Sequence, residues 1–111
     1  MYASVRKYSL DAERVDEFMH RVDEKFAVRL ERMPGFVAYQ AIDAGAVRAG
    51  EGRVFSVTIC SDREAADRSA ELAAEFDRDE LGDMEVEHLE AATGAVSVNR
   101  AASEVLEAGH A

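Results

Sequence analysis

Met33-Pro34-Gly35-Phe36-Val37-Ala38-Tyr39-Gln40-Ala41 closes one long amphipathic helix and opens a strand. Pro34 has no amide hydrogen and pushes Met33 out of the helical region. Gly35 permits the tight reversal that follows. Strict alternation over Phe36 to Ile42 sets Phe36, Ala38, Gln40 and Ile42 on one side and Val37, Tyr39 and Ala41 on the other. Both sides are largely apolar, which predicts a strand covered on both faces. Phe36 and Tyr39 then point opposite ways: one packs beneath helices, the other meets a cavity or a partner.

Before this stretch, Val15, Phe18, Met19, Val22, Phe26, Leu30 and Met33 recur at steps of three and four. That spacing keeps one helix face toward a core. Asp11 is placed to cap the helix, and Leu10 and Val15 to staple it. Tyr2 to Ser9 reads as a first strand, with Ser4, Arg6 and Tyr8 on one face.

After it, residues 44–52 carry three glycines and scattered charge and read as a loop. Arg53 to Cys60 is a third strand, in which Phe55, Val57 and Ile59 alternate with Ser56, Thr58 and Cys60. Ser61-Asp62-Arg63-Glu64 fits a capping box opening a second helix to about Gly82. Its buried stripe is Ala65, Ser69, Leu72, Ala73 and Phe76. Asp83 to Glu90 fits either a helical extension or an acidic loop. Ala92 to Asn99 reads as the fourth strand, and residues 100–111 as an Ala/Glu-rich tail.

The order strand, helix, strand, strand, helix, strand is a ferredoxin-like βαββαβ, an α+β fold with a four-stranded antiparallel sheet and two helices on one face. Residues 1–99 form the domain and 100–111 a C-terminal tail. The sheet face turned from the helices is expected to carry Arg6 and Tyr8, either Phe36 or Tyr39, then Ser56, Thr58, Ser97 and Asn99. Such a mixed face calls for cover by a second copy.

The chain has 111 residues, one domain's worth, and a formal net charge of -10. That charge argues against nucleic acid and anionic membranes as partners, since phosphates require clustered Lys and Arg. The single cysteine, Cys60, has no internal disulfide partner, and a reducing cytoplasm is the expected location. Residues 1–6 hold no apolar run that suits a signal peptide, and no run approaches the roughly 20 residues of a membrane span.

The run Pro34-Gly35-Phe36 with Tyr39 resembles antibiotic-biosynthesis-monooxygenase-type domains. So do Phe55 to Ile59 leading into Asp62-Arg63-Glu64-Ala65-Ala66, then Ser69, Ala73 to Phe76, and Thr93-Gly94-Ala95-Val96. The resemblance covers most of residues 2–99. It implies a homodimeric α+β barrel with a cavity between sheet and helices. The group includes cofactor-free oxygenases of aromatic polyketides, a quinol oxygenase and haem-degrading enzymes. This chain departs from it in having no tryptophan: Phe76 stands where relatives often carry one. The second helix also has no histidine for haem.

Arg6, Tyr8 and Tyr39 are pocket-lining candidates, suited to an acidic or phenolic substrate. Arg offers a fixed fork of donors to an enolate, and Tyr a hydroxyl beside an apolar ring. The competing reading is that the tyrosines belong to an interface. Ser56, Thr58, Ser97 and Asn99 could orient a carbonyl or meet an oxyanion, or be plain surface groups. His88, among Glu85, Glu87 and Glu90, is a candidate base near the pocket mouth. His20 with Asp16 and Glu24 has metal-like spacing but falls on the charged helix face, where ion pairs are routine, so no metal is expected. His110 lies in the tail. Cys60 reads as a structural thiol.

The function expected is a cofactor-independent monooxygenase-like protein acting on a small aromatic or quinol-type substrate, with no catalytic residue assigned. The alternative is a non-catalytic homodimer that binds a small ligand. Haem binding or degradation stands third.

Overall fold

The structure, a computed structural model, describes residues 1–102. Strand β1, Tyr2–Asp11, leads into a continuous helix α1 over residues 12–31. Strands β2, Phe36–Arg48, and β3, Glu51–Cys60, form a hairpin. Helix α2, Arg63–Glu80, and strand β4, Glu87–Ala95, complete a ferredoxin-like α+β domain. The antiparallel sheet runs β2-β3-β1-β4, which leaves β2 and β4 at its edges. Most of the tail lies outside the described residues.

Helix α1 is not uniform. A 3-10 turn, Ala12–Arg14, enters α-helical Val15–Arg21; a π-type segment, Val22–Ala27, follows, then α-helical Val28–Glu31. Asp11 accepts a 2.9 Å hydrogen bond from the Glu13 amide. The stripe residues Val15, Phe18, Val22, Phe26, Leu30 and Met33 are buried. At the other end Gly35 has φ +85°, and a Cβ there would lie 2.7 Å from the Ala65 Cβ. Its carbonyl accepts the Ser61 amide at 2.8 Å, tying the turn to the start of α2.

The structure corrects four sequence readings. The presumed loop is mostly strand: β2 continues to Arg48, and a turn at Ala49-Gly50 joins it to β3. Its glycines work inside the hairpin, with Gly45 at a break in the ladder between Asp43 and Ala46. The N-cap of α2 is Asp62, which accepts the Ala65 amide at 2.8 Å, not Ser61. The fourth strand is Glu87–Ala95, and Ser97 and Asn99 lie exposed beyond it. Its charges hid it, yet charge suits a strand on a solvent edge.

The fourth correction concerns which sheet face lies under the helices. On β3 the buried positions are Gly52, Val54, Ser56, Thr58 and Cys60. Opposite them on β1 stand Leu10, Tyr8, Arg6, Ser4 and Tyr2. The helix-facing side is therefore the mixed, hydroxyl-rich one. Phe55, Val57 and Ile59 face away from the helices. Close fit fixes this phase: Val15 lies so near Gly52 that a Cβ there would be 2.7 Å from its Cγ2. The aromatic rings of Phe18, Phe26 and Phe76 fill the layer above the small sheet residues.

Candidate functional site

A β-bulge brings the strand residues of the site together. Phe36 pairs with Cys60, but Ala38 pairs with Ile59, so Val37 is an extra residue on β2. Past the bulge Tyr39 lies opposite Thr58 and Ala41 opposite Ser56, on the helix side. Phe36 and Tyr39 thus share a face, contrary to strict alternation. Both pack against the main core, and Tyr39 meets Phe26 edge-on with ring centroids 5.4 Å apart.

Between sheet and helices lies a recess lined by Ser4, Arg6, Tyr8, Tyr39, Ser56, Thr58, Ser69, Phe76 and Asp77, with Phe18, Val22, Phe26 and Ala73 closing it. Its free space is about 10 Å³, room for a water molecule. Ser4, Ser56, Thr58 and Ser69 are all buried there. A layer that usually holds branched apolar chains holds hydroxyls instead.

Arg6, Tyr8 and Asp77 form the charged centre. Arg6 Nε donates to the Tyr8 hydroxyl at 3.0 Å. That hydroxyl donates toward Asp77, 3.4 Å from each carboxylate oxygen. Arg6 Nη2 lies 3.5 Å from Asp77 Oδ2. Burial, reinforced by Asp77, pushes the Tyr8 phenol up to about 12. Burial likewise raises the Tyr39 phenol, helped by the neighbouring Tyr8. Burial lifts the Asp77 carboxyl above its usual range, against the pull of Arg6, His88 and Tyr8. Both tyrosines therefore stay neutral donors at ordinary pH.

A wider cleft of about 330 Å³ opens beside the recess, between α1 and β2. Its lining is Met19, Val22, Asp23, Ala27, Glu31, Phe36, Tyr39 and Ala41. Val22 and Tyr39 border both spaces. The volume falls in the range of small-ligand sites, roughly 300–1,000 Å³. The π-type segment of α1 forms part of its wall, and such segments are frequent at functional sites.

Of the sequence candidates, Arg6, Tyr8, Tyr39, Ser56, Thr58 and Phe76 meet in the recess. His88 is exposed on β4, stacked on the Tyr8 ring at 5.2 Å between centroids. Asn99 is apart from the recess. His20 pairs with Glu24 at 3.3 Å on the solvent side of α1. Cys60 is buried, and burial pushes its thiol up. His110 lies outside the described residues. Asp77 was missed, though its signal was present: it falls one turn after Ala73 and two after Ser69, a carboxylate on a buried stripe.

The fold is the one found in antibiotic biosynthesis monooxygenase-type proteins. Several solved structures share it. A Bacillus cereus protein assigned as an antibiotic biosynthesis monooxygenase is 16% identical, with a TM-score of 0.65 over 91% of this chain and 95% of that one. The haem degrader MhuD of Mycobacterium tuberculosis, with two haems in its active site, is 20% identical, with a TM-score of 0.66 over 91% of this chain and all of that one. The monooxygenase ActVA-Orf6 of Streptomyces coelicolor, in complex with Nanaomycin D, is 11% identical, with a TM-score of 0.65 over 92% of each chain. No protein-family model and no curated protein matches the sequence.

Proposed function

We propose that the protein binds a small aromatic or quinol-type molecule in the cleft between α1 and β2 and oxygenates it with dioxygen, without a dedicated cofactor. The observation that carries this is that the cleft adjoins, through the shared walls Val22 and Tyr39, a buried hydroxyl-lined recess centred on Arg6, Tyr8 and Asp77. A monooxygenase of the same fold holds a small organic ligand, Nanaomycin D.

The chemistry draws on the substrate's own electrons. Loss of an acidic hydrogen gives a delocalised anion, which passes one electron to dioxygen. The substrate radical and superoxide combine, and protonation gives a hydroperoxide. Loss of water from it turns a ring CH2 into a carbonyl, with one oxygen atom leaving as water. Tyr39, which borders both cleft and recess, supplies a donor for the developing oxyanion, with Arg6 and Tyr8 setting the field behind it. Oxygen uptake with hydroxynaphthoquinol or anthrone-type substrates is the test. Turnover that disappears in Tyr39→Phe and Arg6→Ala is expected. If the folded protein takes up no oxygen and no such compound raises its melting temperature, the reading fails.

Binding without turnover is the second reading. Arg6 and Asp77 neutralise one another, which favours a site that holds a ligand without activating it. A compound that raises the melting temperature without oxygen uptake would decide for it. Haem fits less well, because the cleft lining contains Asp23 and Glu31 and no basic side chain to meet propionates. A Soret band on adding haem would reinstate it.

We also propose a homodimer in which the outer sheet faces meet and close the α+β barrel. Val5 and Ile42 are exposed on the outer face, opposite the half-buried Val57 and Phe55 in the ladder, with Ile59 on the same side. A contiguous apolar face of this kind marks an interface. Light scattering should give twice the 12.2 kDa chain mass, and a Val57→Lys protein should give the monomer mass. Among the described residues no helix is long and apolar enough to cross a membrane. A cytoplasmic location agrees with the lone buried thiol of Cys60.

A further inference from the structure

We infer that Asp77 receives the acidic hydrogen of the ligand, and that the Arg6–Asp77 pair makes the site take a phenol or enol in its neutral form rather than as its anion. This rests on the ligand-binding reading of the cleft given above.

Three observations lead to it. The charged residues of the cleft lining are Asp23 and Glu31, both exposed, so an anion entering there meets only like charge. Inside, the cation Arg6 is already engaged by Asp77 at 3.5 Å, with a quarter or less of either side chain exposed. An arriving anion therefore finds no free positive charge. Asp77 is also the carboxylate on the recess wall, and therefore the acceptor placed to take a proton.

The groups facing Asp77 are few. Strand β1 contributes Arg6 and Tyr8, and β4 contributes His88 beyond the Tyr8 ring. Strand β2 contributes Tyr39. Helix α1 contributes the uncharged Phe18, Val22 and Phe26. Tyr8 and Tyr39 hold their protons too tightly to act as bases. Tyr39 borders both the cleft and the recess, and the recess has room for one water, so the Tyr39 hydroxyl and that water are the relay between a ligand and Asp77. The ligand O–H bond breaks and its electron pair stays on the ligand oxygen. The proton ends on the Asp77 carboxylate, which releases Arg6 from its pair, and the uncompensated Arg6 charge then faces the new oxyanion from across Tyr39. The total charge of the group does not change.

The test is the pH dependence of binding of para-nitrophenol, whose phenol and phenolate absorb at different wavelengths. Titrations are run on the full chain on both sides of the probe's own ionisation, in a His88→Gln background that removes the histidine from the comparison. With Asp77 present, affinity should fall about tenfold per pH unit once the probe ionises in solution, because only its neutral form is taken. Asp77→Asn leaves Arg6 uncompensated. It should keep its affinity at high pH and show the phenolate spectrum when bound. Arg6→Gln, which leaves Asp77 unpaired, should reject phenolate at least as strongly as the parent. The inference is overturned if Asp77→Asn follows the parent profile. Should Asp77→Asn not fold, an Arg6→Gln protein that binds phenolate as well as phenol overturns it. A parent protein that binds neither form removes the cleft reading as well, whereas one that binds both forms equally removes this inference alone.

Discussion

The Tyr8 hydroxyl bridges the two charges of the recess, standing 3.0 Å from Arg6 Nε and 3.4 Å from each carboxylate oxygen of Asp77. Its phenol is pushed from 10.0 up to about 12 by burial first and by Asp77 next. A raised value means that the folded state holds the proton more tightly than the unfolded chain does. The associated stability is complete below pH 10 and is lost as pH rises toward 12. Tyr8→Phe should therefore flatten the alkaline limb of the stability profile. At neutral pH it should cost about 1.5–3 kcal/mol, the range for a lost hydrogen bond to a charged group. Urea denaturation at stepped pH, with tyrosinate absorbance followed in parallel, measures both.

Phe76 closes the recess from α2 and is 3% exposed. Its ring packs 5.3 Å from that of Phe26. Phe76→Ala should destabilise the fold by about 3–4 kcal/mol through lost burial and the cavity left behind. The same change joins the recess to a larger void. A bulkier aromatic compound that does not bind the parent should then raise the melting temperature of the variant. No rise across a series of ring sizes would show that the void collapses.

Gly35 is held at φ +85° beneath Ala65. Gly35→Ala adds a left-handed strain of roughly 1–2 kcal/mol and drives two methyl carbons together, so the total loss should reach about 2–3 kcal/mol. The companion change Ala65→Gly relieves the clash but not the backbone strain. A double variant that recovers part of the loss, measured by thermal denaturation, is the expected result.

Arg21 ties α1 to the end of α2. Its Nη1 lies 2.7 Å from Asp83 Oδ1, and its Nη2 3.0 Å from Oδ2. Hydrogen bonding to Arg21 holds the Asp83 carboxyl down at about 2, from 3.8. A depressed value gives stability that is present above pH 3.8 and is lost as pH falls toward 2. Asp83→Asn should therefore be less stable than the parent at neutral pH, and the gap should close in acid. A gap that stays constant down to pH 2 would count against the pair as a stabilising contact.

Much of the architecture is legible in local pattern. The α1 stripe, the stop at Pro34 and the strand–helix order suffice for the ferredoxin-like plan. Two features escaped because they depend on partners distant in sequence. Alternation in β3 shows that Phe55, Val57 and Ile59 share a side, but only packing against Val15 and the aromatic rings decides that this side faces outward. Strand β4 was displaced because Glu87, His88 and Glu90 fit a helical extension or an acidic loop, although charge is tolerated on an edge. In the site, six of the candidates converge because Ser4, Arg6 and Tyr8 on β1 pair in register with Thr58, Ser56 and Val54 on β3. Asp77 escaped because the α2 stripe was traced through its small and apolar residues, Ala65, Ser69, Leu72, Ala73 and Phe76, and a carboxylate breaks that pattern.

The extra residue at Val37 has a consequence for how such a site can be dissected. Val37 is half exposed, and its own side chain decides little. Its presence as one more link in the chain is what turns Phe36 and Tyr39 to the same side. Replacing it by alanine would leave the site almost untouched, while deleting it would send one of the two aromatics to the opposite side. Part of the site's geometry is thus written in the number of residues rather than their kind, and a survey by substitution alone would pass over the position that matters.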